Sequence, residues 1–202
     1  INSLEEGSFG FVYLCEDRFN RGEYFAVKKS KKSNNHVKEL NQLNEMIADF
    51  RNLNQFEISM QKELSMVESF ICQYIEAWID SDHNLYVQQE FCENGDLLDY
   101  LTKLENYNAS LLTEEFYWDI IFELICGVYF IHSMNYIHLD LKPSNFFVKS
   151  NGQIKIGDFG LIKKIGHDDD DFEGDCIYLA KEVLESMTLS KITSKSDMFS
   201  VG

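Results

Sequence analysis

The stretch that decides the fold is "HLDLKPSN", residues 138–145. It places a carboxylate, an ammonium and an amide at offsets zero, two and five, on Asp140, Lys142 and Asn145. Phosphoryl transfer uses such groups to receive a proton, to neutralise phosphate and to hold a metal ion. The spacing therefore predicts a catalytic loop. Leu139, beside the acid, stands where a similar loop often has arginine.

A glycine-bearing turn near the N-terminus is the second feature. Residues 4–13, "LEEGSFGFVY", place Gly7 and Gly10 around Ser8 and Phe9, between two predicted strands. Backbone N–H groups in such a turn can bind phosphate oxygens at close range. The same pattern is equally typical of a plain hairpin, so the turn alone decides nothing.

The order of the motifs is more specific than any one of them. Lys28 in "FAVK" follows the glycine turn, and "DFG" begins thirteen residues beyond Asn145. A lone lysine is more often a surface residue, but here it is one member of an ordered set. The set predicts Asn145 and Asp158 as metal ligands. Asp140 would be the base, and Lys28 and Lys142 would supply positive charge.

The charge of the chain excludes one class of partner. With 34 acidic residues against 18 Lys and Arg, the formal net charge of the 202 residues is −16. Such a chain repels polyanions, so nucleic-acid binding through a basic surface is not expected. A phosphate-bearing ligand would have to be held by local lysines, backbone N–H groups and metal ions.

The five cysteines are scattered, without a C-x-x-C pair or a His-Cys cluster. This distribution predicts reduced thiols, not a disulfide framework or a zinc site, and so an intracellular, nuclear or cytoplasmic location. No apolar run approaches the roughly 18 residues of a membrane helix, and no signal peptide opens the chain. No membrane segment is therefore expected. The first residue, Ile1, and the final "SVG" indicate a chain cut from something longer.

Hydrophobic periodicity predicts a strand-rich part to about residue 91 and a helical part after it. Strands are expected at "FGFVYLCE", "EYFAVKK", "ICQYIEAWID" and "NLYVQQEF", and a hairpin at Asn151-Gly152. Helices are expected over 36–53, from about Phe56, and after a Thr113 cap. Two apolar stripes are predicted to face the core: Val37, Leu40, Ile47 and Phe50 in the first helix, and Phe116, Ile120, Leu124, Val128 and Ile131 in the last.

The ordered set resembles the signature of the eukaryotic protein kinases. The resemblance implies an α+β, two-lobed fold with an antiparallel-sheet small lobe over 1–91, a hinge at 92–95 and a helical large lobe over 96–202. It further implies that the large lobe is truncated after the start of its central helix, where Asp197 would anchor the catalytic loop. ATP and Mg²⁺ are the implied cofactors, and His138 would support the loop structurally.

The resemblance also implies a nucleotide pocket. Leu4, Val12 and Ala26 would form its roof and Phe147 its floor, and Gln89 would be the gatekeeper residue. The implied nucleotide-binding residues are Leu4, Gly7, Ser8, Phe9, Gly10, Val12, Ala26, Lys28, Glu90, Cys92 and Phe147.

A salt bridge that aims Lys28 is implied as well, and two glutamates are candidates for it. Glu57, in "EISMQKEL", precedes a strand in the expected way and is the preferred partner, which makes it the fourth catalytic residue beside Asp140, Lys142 and Lys28. Residues 30–55 are then an inserted helical segment on the small lobe. Glu45 lies 17 residues from Lys28, an ordinary separation, and stays the alternative.

Four stretches narrow the resemblance to the Wee family of mitosis-inhibitory kinases: "FCENGDLLDYL", "YIHLDLKPSNFFV", "KIGDFG" and "EGDCIYLAKEVL". That family phosphorylates a tyrosine in the glycine loop of a cyclin-dependent kinase, which implies the same partner and acceptor here. Lys142 gives the loop the form usual for serine/threonine kinases, so a kinase resembling those that act on a translation initiation factor is the alternative. Glu5 and Lys181 depart from the kinase pattern, and a nucleotide-binding pseudokinase scaffold is a second alternative.

The identity of residue 139, a leucine, leads to an expectation about how kinase activity is regulated. In kinases switched by phosphorylation of the activation loop, an arginine at this position receives the phosphate. Leucine cannot do so, and no serine or threonine occurs from Asp158 to Glu182. Activity is therefore expected without phosphorylation of this segment.

Overall fold

The computed structural model describes residues 2–6, 10–30, 35–52, 68–166, 177–185 and 193–202. They form two compact units. The first contains the described residues up to Asn52 together with Cys72–Cys92, and the second contains residues 68–71 and the described residues from Glu93 onwards. The chain leaves the first unit between Cys92 and Glu93, inside the predicted hinge.

The first unit is built on a five-stranded antiparallel sheet in the order β1-β2-β3-β5-β4. The strands are β1 (Asn2–Glu6), β2 (Gly10–Glu16), β3 (Tyr24–Ser30), β4 (Tyr74–Ile79) and β5 (Leu85–Glu90). The strands predicted from alternating apolar residues are found in these positions. The turn between β4 and β5 is fixed by Asp80, whose carboxylate accepts the backbone N–H groups of Asp82 and Asn84 and the Asn84 amide. These hydrogen bonds lower the pKa of Asp80 to about 2.

Helix α1 (His36–Arg51) is the helix of this unit among the described residues, and it packs on β4. At its start, His36 Nδ1 lies 3.0 Å from the carbonyl oxygen of His83, and at its end Arg51 donates to the carbonyl oxygens of Tyr74 and Ile75. The helix thus runs along the whole of β4. Within the predicted inserted segment, the described residues 36–51 therefore pack against the sheet through one buried face of the helix.

The buried face of α1 differs from the predicted stripe. Ile47 and Phe50 are buried as expected, together with His36, Leu43 and Met46. Leu40 is half-buried. The prediction that Val37 faces the core is wrong, because 65% of its surface is exposed while the neighbouring His36 is buried. The His83 carbonyl oxygen lies within hydrogen-bond distance of the His36 ring, so the polar histidine can be buried at that position.

The second unit is mainly helical, with α2 (Leu97–Asn108), α3 (Glu114–Ser133), α4 (Lys181–Glu185) and α5 (Ser194–Val201). Its short strands are β6 (Tyr136–Ile137), β7 (Phe146–Val148), β8 (Ile154–Ile156) and β9 (Lys163–Lys164). They form two antiparallel pairs, β6 with β9 and β7 with β8. The β7–β8 pair confirms the hairpin predicted at Asn151-Gly152.

Helix α3 begins as predicted, with the Thr113 hydroxyl accepting the backbone N–H of Phe116. Ile120, Leu124, Val128 and Ile131 are buried, and Phe116 is half-buried. Among the described residues α3 is the helix long and apolar enough to cross a membrane by length and composition alone. Its buried stripe packs against β8 and α5.

Candidate active site

The predicted catalytic loop follows β6 and is held in place by one carboxylate. Asp197, in the first turn of α5, accepts the backbone N–H of His138 on Oδ2 at 2.8 Å and that of Leu139 on Oδ1 at 2.9 Å. His132 Nε2, at the end of α3, lies 2.8 Å from the same Oδ2. Asp197 is 1% exposed, so these partners replace its water. The implied anchoring role of Asp197 is confirmed by this geometry. No pattern in the sequence pointed to His132.

The His138 ring joins the catalytic loop to the "DFG" segment. Its Nδ1 accepts the backbone N–H of Asp140 at 3.2 Å, so the other nitrogen, Nε2, carries the hydrogen and donates to the Gly157 carbonyl at 3.0 Å. Burial lowers the pKa of His138 and keeps the ring neutral, although Asp197 and other nearby carboxylates act in the opposite direction. Phe159 packs beside the ring, with the centroids 5.0 Å apart and the ring planes tilted by 53°. Both ring nitrogens are thus used to support the backbone, as predicted.

Asp140, Lys142 and Asn145 meet at the end of the loop. Lys142 Nζ lies 3.0 Å from Oδ1 of Asp140, and Asn145 Nδ2 donates to Oδ2 at 2.7 Å. Asn145 Nδ2 also donates to the Asp140 carbonyl at 2.7 Å. All three residues are buried. The carboxylate is therefore fixed on both oxygens, with its plane determined by a cation and an amide.

The loop also presents oxygen ligands of the kind that Mg²⁺ binds. Asn145 is 4% exposed, and both hydrogen bonds of its side chain are donated by Nδ2. Its Oδ1 therefore makes no hydrogen bond within the described part of the chain. A buried amide oxygen without a hydrogen-bond donor is costly unless a cation or water satisfies it. Asp158 follows Gly157, which is linked to Asn145 by a backbone hydrogen bond of 3.0 Å. The residues therefore fit a hard divalent cation.

In the first unit, strand register places several predicted nucleotide-binding residues on one face of the sheet. Val12 pairs directly with Lys28 across β2 and β3, and Ala26 pairs with Gln89 across β3 and β5. Directly paired residues of antiparallel strands share a face, and so do residues two apart on one strand. Val12, Ala26, Lys28 and Gln89 thus lie on the same face.

The whole chain, residues 1–202, matches the family model of the protein kinase domain. The chain belongs to the protein kinase family. It is 36% identical over 208 residues both to the mitosis inhibitor protein kinase SWE1 of Candida albicans and to wee1 of Schizosaccharomyces pombe. A Wee1-like protein kinase of Xenopus laevis is 30% identical over 222 residues. All of this chain is covered in each case, but it spans only 17%, 21% and 34% of these relatives.

The remaining predicted nucleotide-binding residues of the kinase domain fall in different places. Glu90, at the end of β5, uses its carboxylate to accept the backbone N–H of Gln73 at 2.7 Å. Cys92 is buried in the first unit, and Phe147 is half-buried on β7 of the second. Leu4 lies within β1, and Gly10 opens β2. Gly7, Ser8 and Phe9 lie outside the described residues, as does Glu57.

The surroundings of Leu139 were not predicted. The kinase domain buries this side chain in an apolar cluster with Ile137, Leu179, Ala180 and Val183, against which half-buried Leu161 also packs. The sequence showed that Leu139 cannot bind a phosphate but not what it does instead. Contacts between residues about 40 positions apart cannot be derived from local periodicity.

The cysteines of the kinase domain agree with the prediction of reduced thiols. Cys15, Cys72, Cys92 and Cys126 are free. Cys176 lies outside the described residues.

Proposed function

We propose that this kinase domain transfers the γ-phosphoryl group of ATP to a tyrosine in the glycine loop of a cyclin-dependent kinase and so delays mitotic entry. The observation that supports phosphoryl transfer is the Asp140 carboxylate fixed between Lys142 and Asn145. Similarity along the whole chain to kinases named mitosis inhibitors supports the acceptor.

Asp140 is the proposed base. The acceptor hydroxyl oxygen attacks the γ-phosphorus, the bond to the β–γ bridging oxygen breaks, and the hydroxyl proton passes to the Asp140 carboxylate. Because both carboxylate oxygens have partners within 3.0 Å, the acid is oriented before the substrate arrives. Lys142, which contacts Asp140, would also neutralise charge on the transferring group.

Asn145 Oδ1 and the Asp158 carboxylate are the proposed ligands of magnesium, which neutralises charge on the phosphates when bound. The Asn145 side chain would then have two functions, since its Nδ2 orients Asp140 and its Oδ1 would bind the cation. His138 supports this arrangement through the Gly157 carbonyl, directly before Asp158.

Lys28 is the proposed ligand of the α- and β-phosphates, and Val12 and Ala26, on the same sheet face, would pack on the adenine. We infer that Glu45 aims Lys28. Glu45 lies in α1, which packs along β4, and β4 pairs with β5 next to the strand of Lys28. The preferred partner from the sequence, Glu57, lies outside the described residues, so the choice between the two depends on substitution of each.

A serine/threonine acceptor is the second candidate, and the Lys142–Asp140 contact favours it because that lysine is typical of serine/threonine kinases. The two candidates are separated by incubating the full-length protein with a cyclin-dependent kinase complex and ATP and mapping the phosphorylated residue by mass spectrometry. Phosphotyrosine in the glycine loop supports the proposal, and phosphoserine or phosphothreonine elsewhere supports the alternative.

Asp140→Asn is the matched control, because it keeps the shape of the side chain and removes the base. We expect it to bind nucleotide normally and to transfer no phosphate. Nucleotide binding without transfer by the unaltered protein would instead indicate a pseudokinase scaffold.

A further inference from the structure

An apolar cluster joins three separate segments of the second unit. Leu139 comes from the catalytic loop and Leu161 from the turn after "DFG". Leu179 and Ala180 directly precede α4, and Val183 lies within it. Leu139 and Val183 are each 2% exposed. The loop that carries the proposed base is thus packed directly against residues 179–183.

A polar contact ties the same segment to α5. The Ser200 hydroxyl donates to the backbone carbonyl of Tyr178 at 2.7 Å. Ser200 lies three residues after Asp197, so both side chains are on one face of α5. That face holds the backbone of Leu139 through Asp197 and the backbone of Tyr178 through Ser200. The catalytic loop and residues 177–183 therefore share one support.

We propose that Leu139 is a positioning residue that anchors residues 177–183 to the catalytic loop by apolar packing. This inference rests on the proposed function as a protein kinase, since the anchored segment would contact the protein substrate. An arginine at this position would order the segment only when a phosphate is present. The buried leucine has its partners at all times, so the segment is held in the unmodified kinase.

The first test compares Leu139→Ala with Leu124→Ala in the full-length protein. Leu124 is a buried leucine of the same unit, on α3 and outside the cluster. We expect Leu139→Ala to raise the KM for protein substrate about tenfold and to change the KM for ATP less than about twofold. Leu124→Ala should leave both constants within about twofold. Leu139→Met, which conserves the volume of the side chain, should have the wild-type KM for protein substrate.

A second pair of substitutions, which remove less side-chain volume, is used if either leucine variant fails to fold. Val183 and Val128 are both 2% exposed and both helical, but only Val183 belongs to the cluster. Hydrogen exchange of the peptide 177–185 should be roughly tenfold faster in Leu139→Ala than in Leu124→Ala, and likewise faster in Val183→Ala than in Val128→Ala, whereas the melting temperature should fall by a similar amount in both members of each pair.

Equal exchange rates within each pair, together with equal substrate KM values for Leu139→Ala and Leu124→Ala, would overturn the proposal. Loss of wild-type activity on phosphatase treatment, mapped to residues 158–182, would overturn it as well. The exchange measurement needs no substrate. If the wild-type protein phosphorylates no protein, the proposed function fails while the exchange rates still decide whether Leu139 anchors the segment.

Discussion

Asp197 holds the backbone N–H of Leu139 at 2.9 Å while the leucine adopts a left-handed backbone conformation with φ 66°. A non-glycine residue in this region costs on the order of 1 kcal/mol. Hydrogen bonds to a buried carboxylate contribute about 1.5–3 kcal/mol each and offset that cost. The conformation turns the Leu139 side chain into the apolar cluster and places Asp140 beside Lys142.

Asp197→Asn should therefore reduce both stability and activity. The amide has one acceptor oxygen where the carboxylate has two, so the backbone N–H of either His138 or Leu139 loses its acceptor. We expect a loss of about 1–3 kcal/mol in the free energy of unfolding, measured with urea, and a fall in kcat of at least about tenfold. Asp119→Asn, at an exposed position of α3, is the control and should change neither. Equal effects of the two substitutions would contradict the anchoring role of Asp197.

Several elements were predictable because their causes are local. Thr113 caps α3 and Asn151-Gly152 closes the β7–β8 hairpin through interactions within a few residues of each. The catalytic loop was predictable for another reason, since the chemistry restricts both its residue types and their spacing.

The role of α1 was not predictable in this way. Two neighbouring stretches, at 36–53 and from Phe56, both have helical periodicity, and periodicity does not say which one packs on the sheet. Tertiary contacts settle that for α1, through the Arg51 bonds to β4 and the buried Met46, Ile47 and Phe50. The partners of Leu139 depended on tertiary contacts for the same reason.

Gly10 should be essential at the start of β2. Its φ of 154° is unusual for other residues, and an added Cβ would collide with the backbone carbonyl oxygen of Lys29 on the neighbouring strand. Gly10→Ala should therefore destabilise the protein by about 2 kcal/mol or more, and should weaken nucleotide binding next to Lys28. Gly22→Ala is the control, because Gly22 also has a positive φ, 92°, but has open space around its Cβ position. Urea unfolding measures the free energy of unfolding of the two variants. A larger loss of stability in Gly22→Ala than in Gly10→Ala would exclude the predicted collision.

The neutral state of His138 should make the protein less stable in mild acid. Burial lowers the pKa of the folded histidine, whereas the unfolded residue has a pKa of about 6.5. Below that pH the unfolded chain binds a proton that the folded protein does not, so stability falls as pH falls, by up to about 1.4 kcal/mol per pH unit. Urea unfolding between pH 7.5 and 5.5 measures the slope. His138→Gln should lower stability at every pH but show a smaller slope, and an unchanged slope would mean that His138 does not supply the proton difference.

Glu45 and Glu57 can be separated by substituting each of them with glutamine. If Glu45 aims Lys28, Glu45→Gln removes the charge that holds the ammonium toward the phosphates, and kcat/KM should fall by roughly 10²-fold. Glu57→Gln should then change kcat/KM by less than about twofold. Glu45→Gln should alter the free energy of unfolding little, because Glu45 is exposed on α1 and its replacement leaves no cavity. The reverse result, with a large loss of kcat/KM for Glu57→Gln and none for Glu45→Gln, would support the partner preferred from the sequence and would give α1 a purely structural role beside β4.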